Sequence, residues 1–247
     1  MPLALAIPCS ASHYGSQDLS LSVDDWSEVT SCNQVNVRFD DARAVRAEDV
    51  LPTAGLRSLK IDSARNGGIH VVGTDASTYS VTACKAADVE ETLRGITTPI
   101  SGNEVSTAGP DSGNWVVFFL VRAPRNATLD LQSHNGPIGL DHVIGTVTAH
   151  ATNGPISVKF SGTSWDGDDL EAHTQNGPLS VKVPRGFRSG MLVQSEGRSP
   201  VSCKADACQD AKRTFDDDDN RRIEFGSGPT VVRMSTVNGP VSVKESD

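Results

Sequence analysis

Two histidines, two acids and a row of lysines stand at matched places around a repeated tripeptide. Asn-Gly-Pro occurs at 135–137, 153–155, 176–178 and 238–240 of the 247-residue chain. His150 and His173 each lie three residues before an asparagine, Asp130 and Glu171 five before, and Lys159, Lys182 and Lys244 six after. Two neighbouring imidazoles can bind a transition metal or supply a general base, and a metal would take its third ligand from Glu171, Gln132 or His134. Two carboxyl groups about 6.5 to 9.5 Å apart can invert a glycosidic bond. With the asparagines stacked, Asp130 and Glu171 fall two strand spacings apart, roughly 10 Å between backbones. A lysine row can hold acidic polysaccharide by charge, and it equally keeps a flat sheet soluble and unpaired. Trp165, beside Asp166-Gly167-Asp168-Asp169, can stack on a sugar if exposed or pack a corner if buried. Asp166 and Asp168, and the run Asp216 to Asp219, offer oxygen ligands for calcium without the order of an EF-hand loop. The second run reads as simply as a solvated loop. The sequence has no Gly-x-Ser-x-Gly, no phosphate loop and no paired Cys-x-x-Cys.

The elements that must position these residues follow from the same alignment. Six residues before the asparagine stand Leu129, Val147, Leu170 and Val232, and four before it Leu131, Ala149, Ala172 and Met234. Three after it are Ile138, Ile156, Leu179 and Val241, and five after, Leu140, Val158, Val181 and Val243. The columns between are polar, so each side of the turn has period two and is a strand with one buried face. Asn-Gly between such strands ordinarily marks a hairpin. Here the residue that would close the turn is Pro137, Pro155, Pro178 or Pro240, which has no N–H to give. The spacing therefore predicts corners, with equivalent residues stacked from repeat to repeat as in a β-solenoid. The asparagines step by 18 and then 23 residues, which suits one turn of such a fold and allows an asparagine amide ladder. Glycine supplies a backbone conformation that other residues resist.

The repeated Asn-Gly-Pro-aliphatic-Ser-Val-Lys block resembles the bacterial β-solenoid domain family of candidate adhesins, over residues 115–244 and more weakly through Asn66-Gly67-Gly68-Ile69. The resemblance implies an exported protein (periplasmic, cell-surface or secreted) with an adhesive role. It brings no catalytic residues to carry over.

Length admits one domain. Residues 1–16 read as a ragged terminus or the remnant of an export signal, residues 17–114 as an N-terminal cap with early turns of the solenoid, and residues 115–247 as the repeat region, interrupted by an insertion over 184–230. Hydrophobic content of 37% with 5% aromatics suits a thin stacked core, and the net charge of −9 argues against nucleic acid. No stretch is long and apolar enough to span a membrane. Of five cysteines, Cys203 and Cys208 lie in one irregular stretch and Cys32 and Cys84 flank strands, so two disulfides with Cys9 left over is the simplest account. Strands are expected at 34–40, 59–61, 69–72, 79–83, 115–121 and 191–194. One helix is expected over 88–95, acidic at its start, closed by Gly95, with Val89 and Leu93 on its buried face.

These features support an interaction module that binds glycan or protein along the edge where the insertions collect. The alternative is a carbohydrate-active hydrolase or lyase using Asp130, Glu171, His150 and His173, and self-association through flat faces or open ends is a third possibility. No cofactor is required by any motif, with calcium or a transition metal as the candidates should one bind.

Overall fold

The computed structural model describes residues 19–22, 29–215 and 221–246. The export-signal reading of the first residues, Cys9 and the Asp216 to Asp219 run lie outside the described residues. The chain is all-β with one short α-helix among the described residues. Among the described residues no helix is long and apolar enough to cross a membrane.

Two parallel ladders dominate. The strands that lead into Asn-Gly-Pro, namely Thr128–Asn135, Thr146–Asn153, Leu170–Asn176 and Ser227–Asn238, pair with one another in that order. The strands that leave it, Ile138–Asp141, Ile156–Lys159, Leu179–Val183 and Val241–Glu245, form the second ladder in the same order. The long strand Leu59–Thr74 begins both: its first half pairs with Thr128–Asn135 and its second half with Ile138–Asp141. Each proline carbonyl accepts a hydrogen bond from a neighbouring repeat, as in Ile138 N to Pro155 O at 3.0 Å and Leu179 N to Pro240 O at 2.9 Å. The corner thus connects repeats through the acceptor that proline keeps, not the donor it lacks.

The four aliphatic columns face inward and are buried along their whole length, from Leu59, Ile61, Ile69 and Val71 to Val232, Met234, Val241 and Val243. At about 1.5 to 3 kcal/mol for each large side chain taken from water, this stacked core is the main stabilising term. A further inward column is polar except at Ala151: Ser133, Thr174 and Thr236 are buried two residues before the asparagine. Their hydroxyls are satisfied at the corner, with Thr174 donating to Gly154 O at 2.7 Å and Thr236 to Gly177 O at 2.9 Å.

The asparagines form an amide ladder. Asn135 donates to Asn66, Asn153 to Asn135, Asn176 to Asn153 and Asn238 to Asn176, at 3.1, 2.9, 2.9 and 2.9 Å. Glycine follows for a reason other than backbone freedom alone. A Cβ on Gly177 would lie 2.1 Å from Gly154 O, and one on Gly239 2.0 Å from Gly177 O. The corners approach too closely for any side chain.

The order of rungs differs from the order of sequence at one end. Ser189–Ser195, inside the expected insertion, pairs in parallel with Ser227–Asn238, and Val201–Cys203 pairs with Val241–Glu245. The last Asn-Gly-Pro repeat therefore lies between the third and this additional rung. Beyond Ser189–Ser195 the sheet ends in the antiparallel strands Arg221–Phe225 and Lys212–Phe215.

At the other end, Trp115–Pro124 lies parallel to the second half of Leu59–Thr74, and Ser80–Ala87 and Val45–Leu51 follow antiparallel. A three-stranded meander, Leu19–Ser22, Asn36–Phe39 and Ala42–Arg43, makes a separate sheet. Val35, Val37 and Phe39 pack with Ala86, Val116 and Phe118 in a second small core, which the Cys32–Cys84 disulfide crosses. The helix is Glu90–Gly95 and buries Leu93, but Val89, expected beside it, is 53% exposed because it precedes the first turn in extended conformation. Asp88 anchors that entry: burial works to raise its pKa, but hydrogen bonds from Asn114 backbone and side chain, Thr92 and the Val89 N–H hold it below the ordinary value.

Candidate functional site

The sequence candidates fall on two polar outer faces, one on each ladder. On the leading ladder, Glu104, Lys60, Asp130, Thr148, Glu171 and Arg233 occupy one row in register. Acids and bases are interleaved along it, which relieves the repulsion a row of carboxylates would carry. Lys60 Nζ lies 3.3 Å from Glu104, and Arg233 Nη1 reaches past the row to Asp169 at 2.8 Å. Asp130 and Glu171 are separated by the Thr148 rung, so two strand spacings, about 10 Å, divide their backbones.

The next outward row is Asp62, Gln132, His150, His173 and Ser235. The two imidazoles are neighbours, with centroids 5.9 Å apart and planes tilted by 58°, and His173 Nδ1 lies 2.8 Å from Ser235 Oγ. Among the described residues no group of three or more His, Cys, Asp or Glu side chains is gathered so that it could hold a metal ion. The aspartates of the 166–169 turn have separate partners: Asp166 accepts from Ser164, Asp168 from Thr146, and Asp169 from Arg233. They diverge instead of converging on one cation position.

Trp165 was expected to offer a face to a sugar if exposed, but it is buried at 5% exposure. Phe160 meets it edge-on at 5.7 Å and also packs on Phe187 at 5.1 Å. Three aromatic rings at one corner gain more from mutual burial than the indole would from water. The cost is an indole N–H with no hydrogen-bond partner among the described residues. Trp165 is therefore corner packing, and it is removed from the ligand-contact residues.

The trailing ladder presents a more regular face. Lys159, Lys182 and Lys244 lie in register, with Asp141 one rung before. The additional rung extends the row: Cys203 is opposite Val243, and Lys204 N donates to Val243 O at 2.9 Å, which sets Lys204 beside Lys244. Ser157, Ser180, Ser242 and Ser202 form the adjacent row. Lys204 was missed because its repeat has lost Asn-Gly. The surviving signal is Pro200-Val201-Ser202-Cys203-Lys204, which matches the block Pro-Val-Ser-Val-Lys at 240–244 except for one residue. The Cys203–Cys208 disulfide closes this rung.

Two concavities lie away from both rows. A cavity of about 310 Å³ separates the meander from the strands Val45–Leu51, Ser80–Ala87 and Trp115–Pro124, between Val35, Val37, Arg46, Lys85 and Phe118. A groove of about 540 Å³ runs beneath the terminal hairpin, bordered by Phe187, Asp206, Asp210, Lys212 and Glu224. None of Asp130, Glu171, His150 or His173 lines either.

No protein-family model and no curated protein matches the sequence. Among solved structures, a candidate cell adhesion protein from Clostridium sporogenes superposes with a TM-score of 0.50 at 11% identity, over 83% of this chain and all of that one. A candidate adhesin from Bacteroides fragilis gives a TM-score of 0.33 at 11% identity, over 83% of this chain and 97% of that one. The likeness to the Clostridium protein is one of fold.

Proposed function

We propose that this chain is an exported β-solenoid interaction module, adhesin-like, that holds a glycan or a protein against its polar outer faces at a surface or envelope. One observation carries the reading: the outer rows of the trailing ladder repeat one residue type, serine or lysine, from rung to rung. Such a surface suits an extended partner better than it suits a reacting bond, which needs a cleft that excludes water. Two disulfides accord with an oxidising compartment. Trp115–Pro124, Ser80–Ala87 and Val45–Leu51 cover one end of the trailing ladder and the terminal hairpin one end of the leading ladder, leaving the broad faces for binding.

The test is a glycan and polysaccharide screen that reads binding and reducing-end release together, on the wild type and on Glu171→Gln. Binding without release, unchanged in the variant, is the expected outcome. Release that is lost in Glu171→Gln would make the leading face a glycosidase site and overturn the proposal.

A further inference from the structure

We infer that the four-lysine face of the trailing ladder binds a linear acidic polysaccharide of the polyuronate class, laid along the stack. This rests on the interaction-module reading and names its ligand. The chain carries 31 acidic residues against 22 basic ones, yet Lys159, Lys182, Lys244 and Lys204 stand side by side. Two other lysines are paired with acids: Lys60 with Glu104 and Lys85 with Asp49 at 2.6 Å. Among the described residues no carboxylate comes within ion-pair distance of any of the four. Arg185, near the row's far edge, is by contrast occupied by Glu245 at 3.0 Å. Like charges one strand spacing apart oppose one another, and a polyanion laid over them removes that cost.

The spacing selects the kind of polyanion. Four lysines in register span three strand spacings, about 14 Å. A 1,4-linked polyuronate carries one carboxylate per ring and advances per ring by a distance comparable to one rung. Its ring hydroxyls would meet the serine row, where no side-chain hydrogen bond within the described chain engages Ser157, Ser180 or Ser242. Nucleic acid fits less well. The proline, serine and lysine rows hold no aromatic side chain on which a base could stack, and the net charge of −9 repels a dense phosphate backbone.

Polygalacturonate oligomers titrated into the full chain at low and moderate salt test the assignment, with dextran as neutral control and duplex DNA as competitor polyanion. The wild type should bind polygalacturonate, weaken with salt and ignore dextran. Lys182→Gln/Lys244→Gln should weaken binding about tenfold or more, while Lys212→Gln on the terminal hairpin should not. The double variant relieves repulsion and keeps its fold, which a melting temperature no lower than the wild type's verifies. Polygalacturonate that does not bind, or binds equally to the double variant, overturns the inference. DNA bound as tightly, with the same loss on substitution, overturns it too by marking a general polyanion surface. A neutral glycan or a protein captured in the broader screen while polygalacturonate fails would leave the interaction-module reading standing and this ligand assignment fallen.

Discussion

At the scale of single residues, the corners are governed by distance between backbones. Gly154, Gly177 and Gly239 each stand about 2 Å, measured from the position of an added Cβ, from the glycine carbonyl of the neighbouring rung. That carbonyl is also the acceptor for a buried threonine, Thr174 at Gly154 and Thr236 at Gly177. A methyl group at Gly177 must therefore push Gly154 away, and the displacement stretches the Thr174 hydrogen bond to Gly154 O and the Asn176 amide link to Asn153 together. Gly177→Ala is expected to cost about 2 to 4 kcal/mol, within the range for overpacking combined with a lost buried hydrogen bond. A shift in the urea midpoint at constant slope would register it. A change below half a kcal/mol, about the level of a neutral surface substitution, would mean that the corners have slack and that glycine is there for another reason.

At the scale of elements, the sequence made the ladders legible and hid what lies at their ends. Uniform columns around four asparagines determine which residues face inward, because a strand shifted by one residue would turn its aliphatic set to water. The buried hydroxyl column was less visible, since Ser133, Thr174 and Thr236 look like surface residues until their acceptors at the corner are known. Trp165 was ambiguous for a similar reason: four neighbouring residues are aspartate or glycine, while its packing partners Phe160 and Phe187 are separated from it in sequence. Lys204 was concealed by the loss of Asn-Gly before Pro200. The meander is a different case, because it does not belong to the ladders and its core is small. The Cys32–Cys84 link joins residues 52 apart, and bridges of this span contribute about 2 to 4 kcal/mol. In Cys32→Ser/Cys84→Ser, the meander should be released before the ladders unfold. Trypsin cleavage at the exposed Arg38 and Arg43 should then quicken at least tenfold, while the strands from Leu59 onward remain protected. Equal cleavage rates in variant and wild type would show that the small core holds the meander without the bridge.

At the scale of the whole molecule, the order of rungs is the feature that sequence pattern alone does not determine. Every rung offers the same alternation of aliphatic and polar residues, so Leu170–Asn176 could accept Ser189–Ser195 or Ser227–Asn238 with equal burial. The structure pairs it with Ser227–Asn238, and two local contacts favour that choice. Asn238 continues the amide ladder from Asn176, whereas the rung through Ser195 reaches Gly197 at the equivalent place and has no amide to offer. Arg233 also meets Asp169, an ion pair that the alternative would replace with Leu192. The consequence is that Ser227–Asn238 and Val241–Glu245 have a parallel neighbour on each side, while Lys212–Phe215 is an edge strand with exposed residues throughout. Backbone groups paired on both sides of a buried strand open only with the surrounding core, and edge strands open locally at far lower cost. Native-state hydrogen exchange should therefore find the amides of Val232, Met234 and Val243 among the slowest in the chain, in step with those of Ala172 and Val181. Lys212 to Phe215 should exchange orders of magnitude sooner. Were the Val232 to Val243 amides to exchange with the hairpin instead, the last repeat would lie at the end of the stack, and the Lys244–Lys204 neighbour pair on which the polyanion face depends would dissolve with it.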